Sequence, residues 1–137
     1  MRQYNLLGYK NGQWQKIYYI TKRKKSGKWE KPSIRFKNFD SSWADSLLDF
    51  WGKEKFWTLN SDSLNINERA IPGTTKIQKF LVSDSPNYRF EIIQKDQYLS
   101  IESYAPDYYL EKMPEIKCRA TFIKCREKFV RLFAEEK

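Results

Sequence analysis

The densest chemistry in this chain is cationic. Lys16, Lys22, Arg23, Lys24, Lys25, Lys28, Lys31, Arg35 and Lys37 fall within twenty-two residues that hold a single acid, Glu30. Ammonium and guanidinium groups bind a phosphate backbone by releasing its condensed counterions, which needs no base-specific geometry. Tyr19 and Trp29 lie among them. A base stacked on an aromatic side chain gains about 1–3 kcal/mol, so cations interleaved with exposed rings have the composition of a single-strand-binding surface. The same residues also fit a solvated hairpin tip whose two rings rest on the protein's own sheet. A second basic group comprises Lys117, Arg119, Lys124, Arg126 and Lys128, diluted by Glu127, Glu135 and Glu136. Lys117 and Arg119 are its candidate nucleic-acid contacts; the alternative is an ordinary solvated strand edge and helix face.

Catalytic chemistry has less to stand on. The chain has no histidine, so acid–base work would fall to carboxylates, Lys or Tyr. Asp84, Glu91 and Lys95 resemble a metal-dependent nuclease set, but their spacing does not suit one short strand, and turn chemistry accounts for them. Gly-rich phosphate loops, a serine elbow and a Cys–His pair are all missing from the sequence. Cys118 and Cys125 match no metal-ligand spacing and read as reduced packing residues. The expectation is a protein with no catalytic residue, no metal and no cofactor.

A chain of 137 residues fits one domain able to bury a core, with 40% apolar and 17% aromatic content. The net charge of +9 is uneven: residues 1–53 carry +8, residues 54–113 carry −2 and residues 114–137 carry +3. That focusing favours a polyanion-facing patch over general solubility. No apolar run is long enough to span a bilayer and no segment looks like a signal peptide, so a cytoplasmic or nucleoid-associated protein without a membrane partner is expected, as monomer or homodimer.

Residues 4–9 and 13–22 read as strands joined at Asn11-Gly12, the dipeptide that supplies positive φ at both centres of a two-residue hairpin turn. Residues 23–28 form a charge-repelling tip. In residues 33–37, Ile34 and Phe36 point to one side and Ser33, Arg35 and Lys37 to a basic outer face. Asp40 or Ser41 caps a helix over 41–51, with Trp43, Leu47, Leu48 and Trp51 on its inner stripe and Gly52 as its stop. Residues 56–59 read as a short strand and 60–73 as an irregular connection. Strands follow over 75–82, 88–94 and 97–103, with Leu99 and Ile101 inward and Tyr98, Ser100 and Glu102 outward. Residues 105–115, with two prolines, read as a loop. Alternation of Ile116, Cys118, Ala120 and Phe122 predicts a strand, and Phe129, Val130, Leu132 and Phe133 predict a terminal helix.

The two halves then compare. Phe36, Trp43 and Leu47 stand at offsets of seven and eleven, and so do Phe122, Phe129 and Phe133. The expected fold class is α+β: two antiparallel β-meander-plus-helix repeats, about 1–53 and 74–137 with a connection over 54–73, packed as an intramolecular pseudo-dimer within one domain.

Residues 26–36 (Ser-Gly-Lys-Trp-Glu-Lys-Pro-Ser-Ile-Arg-Phe) with the Trp43/Leu47 helix resemble the last strands and helix of a repeat of the Pur-alpha (purine-rich-element-binding) family. Tyr88-Arg89-Phe90-Glu91, Tyr98-Leu99-Ser100-Ile101-Glu102-Ser103 and the Phe129/Phe133 helix resemble that repeat again. The likeness spans about two-thirds of the chain. It implies a fold of the Pur-alpha and Whirly kind, built of β-β-β-β-α units that bind single-stranded DNA or RNA on their sheets. The first copy departs from it in offering three strands before its helix. A non-catalytic single-stranded nucleic-acid-binding protein is therefore expected. The alternatives are a protein-interaction or accessory subunit and, more remotely, a small metal-dependent nuclease.

Overall fold

The computed structural model of the chain describes residues 2–134. It is α+β, with antiparallel sheets and helices. The chain forms two compact units, Met1–Phe50 with Lys128–Lys137, and Trp51–Glu127. The repeat reading puts the C-terminal segment in the second half; here it belongs to the first unit.

In the first unit, β1 (Arg2–Lys10) and β2 (Gln13–Thr21) form a hairpin about Asn11 and Gly12, whose φ values of 52° and 77° are those the turn requires. The two-residue loop fixes the register, setting Tyr4 opposite Tyr19 and Leu6 opposite Ile17. β3 (Ser33–Asn38) joins the other side of β2, with Ile34 opposite Tyr19 and Phe36 opposite Ile17, giving the order β1-β2-β3. One sheet face is covered: Tyr18 meets Phe133 edge-to-face at 5.5 Å, and the Lys16 ammonium lies 5.1 Å from the Phe39 ring and 5.8 Å from that of Phe133.

α1 (Ser41–Lys53) starts from Asp40, whose carboxylate accepts the Ser42 N–H at 2.9 Å. That backbone hydrogen bond also holds the Asp40 carboxyl below its ordinary pKa. The buried stripe is Ala44, Leu47 and Trp51, with Leu48 half-buried. Trp43 is exposed, which corrects the expected stripe by a small rotation. The helix also runs one residue past Gly52, and the left-handed residue is Lys55, with φ 56°.

In the second unit, residues 56–59 are not a strand: Phe56–Thr58 is a 3-10 turn. The expected irregular connection is also structured. Asn60 caps α2 (Ser61–Leu64), accepting the Ser63 N–H at 2.8 Å, and β4 (Glu68–Ala70) pairs with β5 (Ile77–Lys79). β5 is much shorter than the strand expected over 75–82. β6 (Asn87–Gln94) and β7 (Gln97–Tyr104) form a hairpin whose Leu99 and Ile101 turn inward.

Residues 105–115 hold α3 (Pro106–Lys112), and α4 (Cys118–Ala134) takes in most of the stretch expected as a strand. Pro106 sits in the first turn of α3, where its missing N–H costs nothing. Phe122, Phe129 and Phe133 all lie on α4, so their offsets of seven and eleven are two and three turns of one helix. They do not reproduce the strand-to-helix corner of the first unit. An aromatic core joins Trp51, Phe56, Phe90 and Phe122, with successive centroids 4.4, 5.3 and 5.7 Å apart. A second cluster gathers Ala105, Tyr109 and Met113 under Phe80 and Val82.

Candidate functional site

The basic segment is an ordered hairpin extension. The Lys24 N–H donates to the Lys28 carbonyl at 2.8 Å, the Gly27 N–H to Lys24 at 2.9 Å, and the Glu30 N–H to Lys22 at 2.8 Å. The Thr21 hydroxyl donates to the Glu30 carbonyl at 3.0 Å, and Arg23 Nε to the Gly27 carbonyl at 2.8 Å. Gly27 has φ 82°, a conformation that side chains rarely adopt, and so it turns the tip. Lys22, Arg23, Lys24, Lys25, Lys28 and Lys31 are exposed around this frame.

Beside the hairpin lies an open sheet face. Period-two alternation and the register place Tyr4, Tyr19 and Ile34 in one row and Leu6, Ile17 and Phe36 in the next. Tyr4, Leu6, Ile34 and Phe36 are 53, 44, 52 and 64% exposed. Tyr4 meets Tyr19 edge-to-face at 5.7 Å. Arg2, on the same face by register, lies with its guanidinium 4.4 Å from the ring of Trp29, which is 44% exposed. Aromatic faces and cations thus meet on one surface of one unit.

This arrangement inverts one expectation. Ile34 and Phe36 do not point to a core; the covered face is the one carrying Lys16 and Tyr18, because Phe39 and Phe133 lie on it. Arg35 and Lys37 alternate to the side away from Phe36, yet stay exposed because β3 is an edge strand. Lys16 is buried and is corrected from a surface contact to an interior residue.

Arg119 is corrected likewise. It is fully buried on α4, and its guanidinium donates to the carbonyls of Leu64 at 2.9 Å, Tyr109 at 3.2 Å and Ile66. Desolvation lowers its pKa. Others of the second basic group have structural partners too. Arg126 forms a two-bond pair with Asp107 at 2.6 and 2.9 Å over the Tyr88 ring, and Lys124 pairs with Glu54 at 3.7 Å. Lys117 is exposed in the turn before α4, in the second unit.

Glu91 accepts from Arg89 and from the Tyr98 hydroxyl, both at 3.2 Å, while Asp84 and Lys95 occupy turn positions with φ 57° and 51°. Among the described residues, no group of three or more His, Cys, Asp or Glu is placed to hold a metal ion. Cys118 and Cys125 are free thiols; burial pushes that of Cys125 up to about 12.

Sequence reading missed Arg2, Tyr4, Leu6 and Phe36 as surface members of this site. The signal for the first three was present in Asn11-Gly12, since a two-residue loop pairs positions that sum to 23. Comparison with known proteins adds no likeness: no family model, no curated protein and no solved structure matches this chain.

Proposed function

We propose that this chain is a non-catalytic binder of single-stranded nucleic acid, acting through the open face of β1-β2-β3 and the hairpin beyond it. The observation that supports this most is one surface bearing Tyr4, Tyr19, Phe36 and Trp29 next to six exposed cations on an ordered frame. Unpaired bases can stack on such rings, whereas a duplex keeps its base faces to itself; the cations follow the phosphates. The reading carries with it the resemblance to Pur-alpha and Whirly repeats and a cytoplasmic or nucleoid-associated location. No helix among the described residues is long and apolar enough to cross a membrane.

Tryptophan fluorescence titration with single-stranded and duplex oligonucleotides at two salt concentrations tests it. The expected result is quenching by single strands, weaker binding to duplex, and affinity that drops steeply with salt; Trp29→Phe should remove a large part of the quenching. Equal affinity for duplex, or indifference to salt, would reject the proposal.

A second reading has its own support. Leu6, Ile17 and Ile34 make part of the same face aliphatic, and exposed apolar patches mark protein interfaces. An accessory subunit would retain one stoichiometric protein partner after nuclease treatment.

A further inference from the structure

We infer that the second unit holds a separate, uncharged cleft that takes a single unpaired nucleobase. The cleft measures about 520 Å³ and is lined by Trp57, Ile92, Gln94, Gln97, Tyr98 and Leu99. It is open to solvent on one side, a shelf that would cover one face of a small ring and leave the other exposed. Ile92 and Leu99 face each other across the β6–β7 hairpin, and Gln94 and Gln97, both exposed, form the next pair on the same face. Apolar floor and carboxamide end are therefore one continuous strip.

Trp57 is the wall. It sits on the 3-10 turn, and its ring is held edge-on to Trp51 at 5.7 Å and to Phe56 at 5.8 Å, yet it stays 41% exposed. A ring fixed by its neighbours and open to solvent is a stacking surface prepared before any ligand arrives. No Lys, Arg, Asp or Glu lines the cleft. Its lining suits a neutral planar ring better than an ion or an aliphatic chain.

The two glutamines select further. Each carboxamide offers an acceptor beside donors, which matches the adjacent donor and acceptor on the edge of a nucleobase. Lys95 and Asp96, the turn between them, line an adjoining recess of about 340 Å³ shared with Gln94 and Gln97, so the charges beside the cleft offset each other. The cleft belongs to Trp51–Glu127, whereas the open face belongs to the first unit. The inference extends the proposed function by adding base readout to stacking and charge, but the cleft can be tested without that function.

The experiment follows the side-chain amide signals of Gln94 and Gln97 by ¹H–¹⁵N NMR on the full chain. Adenosine, cytidine, guanosine and uridine are titrated in turn, with ribose 5-phosphate as the control. Saturable shifts of both glutamines with at least one nucleoside, and none with the control, are expected. Gln94→Leu/Gln97→Leu, its fold verified by an unchanged backbone spectrum, should weaken that nucleoside about tenfold, the equivalent of one lost hydrogen-bonded pair. Absence of saturable shifts, or unchanged affinity in the double variant, overturns the inference. With short homopolymeric single strands, the wild type should discriminate between bases and the double variant should bind all alike at the same salt dependence. Nucleoside shifts without any polynucleotide binding would keep the cleft and refute the proposed function instead.

Discussion

Arg119 carries a guanidinium into the interior of the second unit and meets it with carbonyls instead of a carboxylate. The acceptors on Leu64, Ile66 and Tyr109 satisfy its N–H groups, and the Tyr109 ring lies 5.3 Å from the guanidinium carbon. Carbonyl dipoles satisfy donors without neutralising the charge, which is why burial lowers the pKa while the group stays protonated at neutral pH. Removing the fork takes the donor from the buried Leu64 carbonyl and from that of Ile66, while the Tyr109 carbonyl keeps the Met113 N–H at 2.9 Å. Arg119→Met should therefore cost about 2–4 kcal/mol in urea unfolding. Arg119→Lys should recover only part of that, since one ammonium cannot span three acceptors. A Met variant as stable as the wild type would show that these bonds contribute nothing net. This role was hidden in the sequence because a cation among cations reads as surface. Only its place in the spacing Arg119, Phe122, Cys125 and Leu132, all buried on α4, marks it as interior.

At the scale of elements, local chemistry decided what could be read. Asn11-Gly12 announces its hairpin because few other dipeptides tolerate positive φ twice. Gly12→Ala should accordingly destabilise by about 1 kcal/mol, while Asn11→Gly stays near neutral. Thermal melts of the two variants check this, and equal melting temperatures would argue against a turn-limited hairpin. α3 was unreadable for the opposite reason: its prolines look like breakers, yet Pro106 opens the helix and Pro114 follows its end. The strand expected near Phe122 failed because the alternation counts Arg119 as an outward polar residue, whereas Arg119 and Phe122, three apart, are buried together on one side of α4. Which sheet face is covered could not be read either, since Phe133 lies far along the chain from Tyr18.

The pair joining α3 to α4 gives a pH test. Hydrogen bonds from Arg126 hold the Asp107 carboxyl below its ordinary 3.8. A carboxyl depressed in the folded state adds stability that is complete above the unfolded value and lost as pH falls through the folded one. The side chain of Asp107 is 59% exposed, so screening keeps this under about 1 kcal/mol. Wild type should exceed Asp107→Asn in stability at neutral pH, and the gap should close as the pH falls below about 4. A gap that persists in acid would assign it to something other than the ion pair.

At the scale of the whole molecule, a net charge of +9 overstates what any polyanion would meet. Burial withdraws Lys16 and Arg119, and ion pairs engage Arg126 and Lys124. Among the described residues, Lys24, Lys25, Lys28 and Lys31 have no carboxylate partner, and all four stand on the hairpin. On the proposed reading, the salt dependence of binding belongs to that hairpin. Each phosphate contact on a single strand contributes about 0.7 to the slope of log K against log salt. Lys24→Gln/Lys25→Gln should thus flatten the slope by about 1.4 and weaken all single strands alike. Lys117→Gln/Lys124→Gln should leave it where it was. If both pairs flatten it equally, the attraction comes from overall charge, and the juxtaposition of rings and cations on the first unit has no part in it.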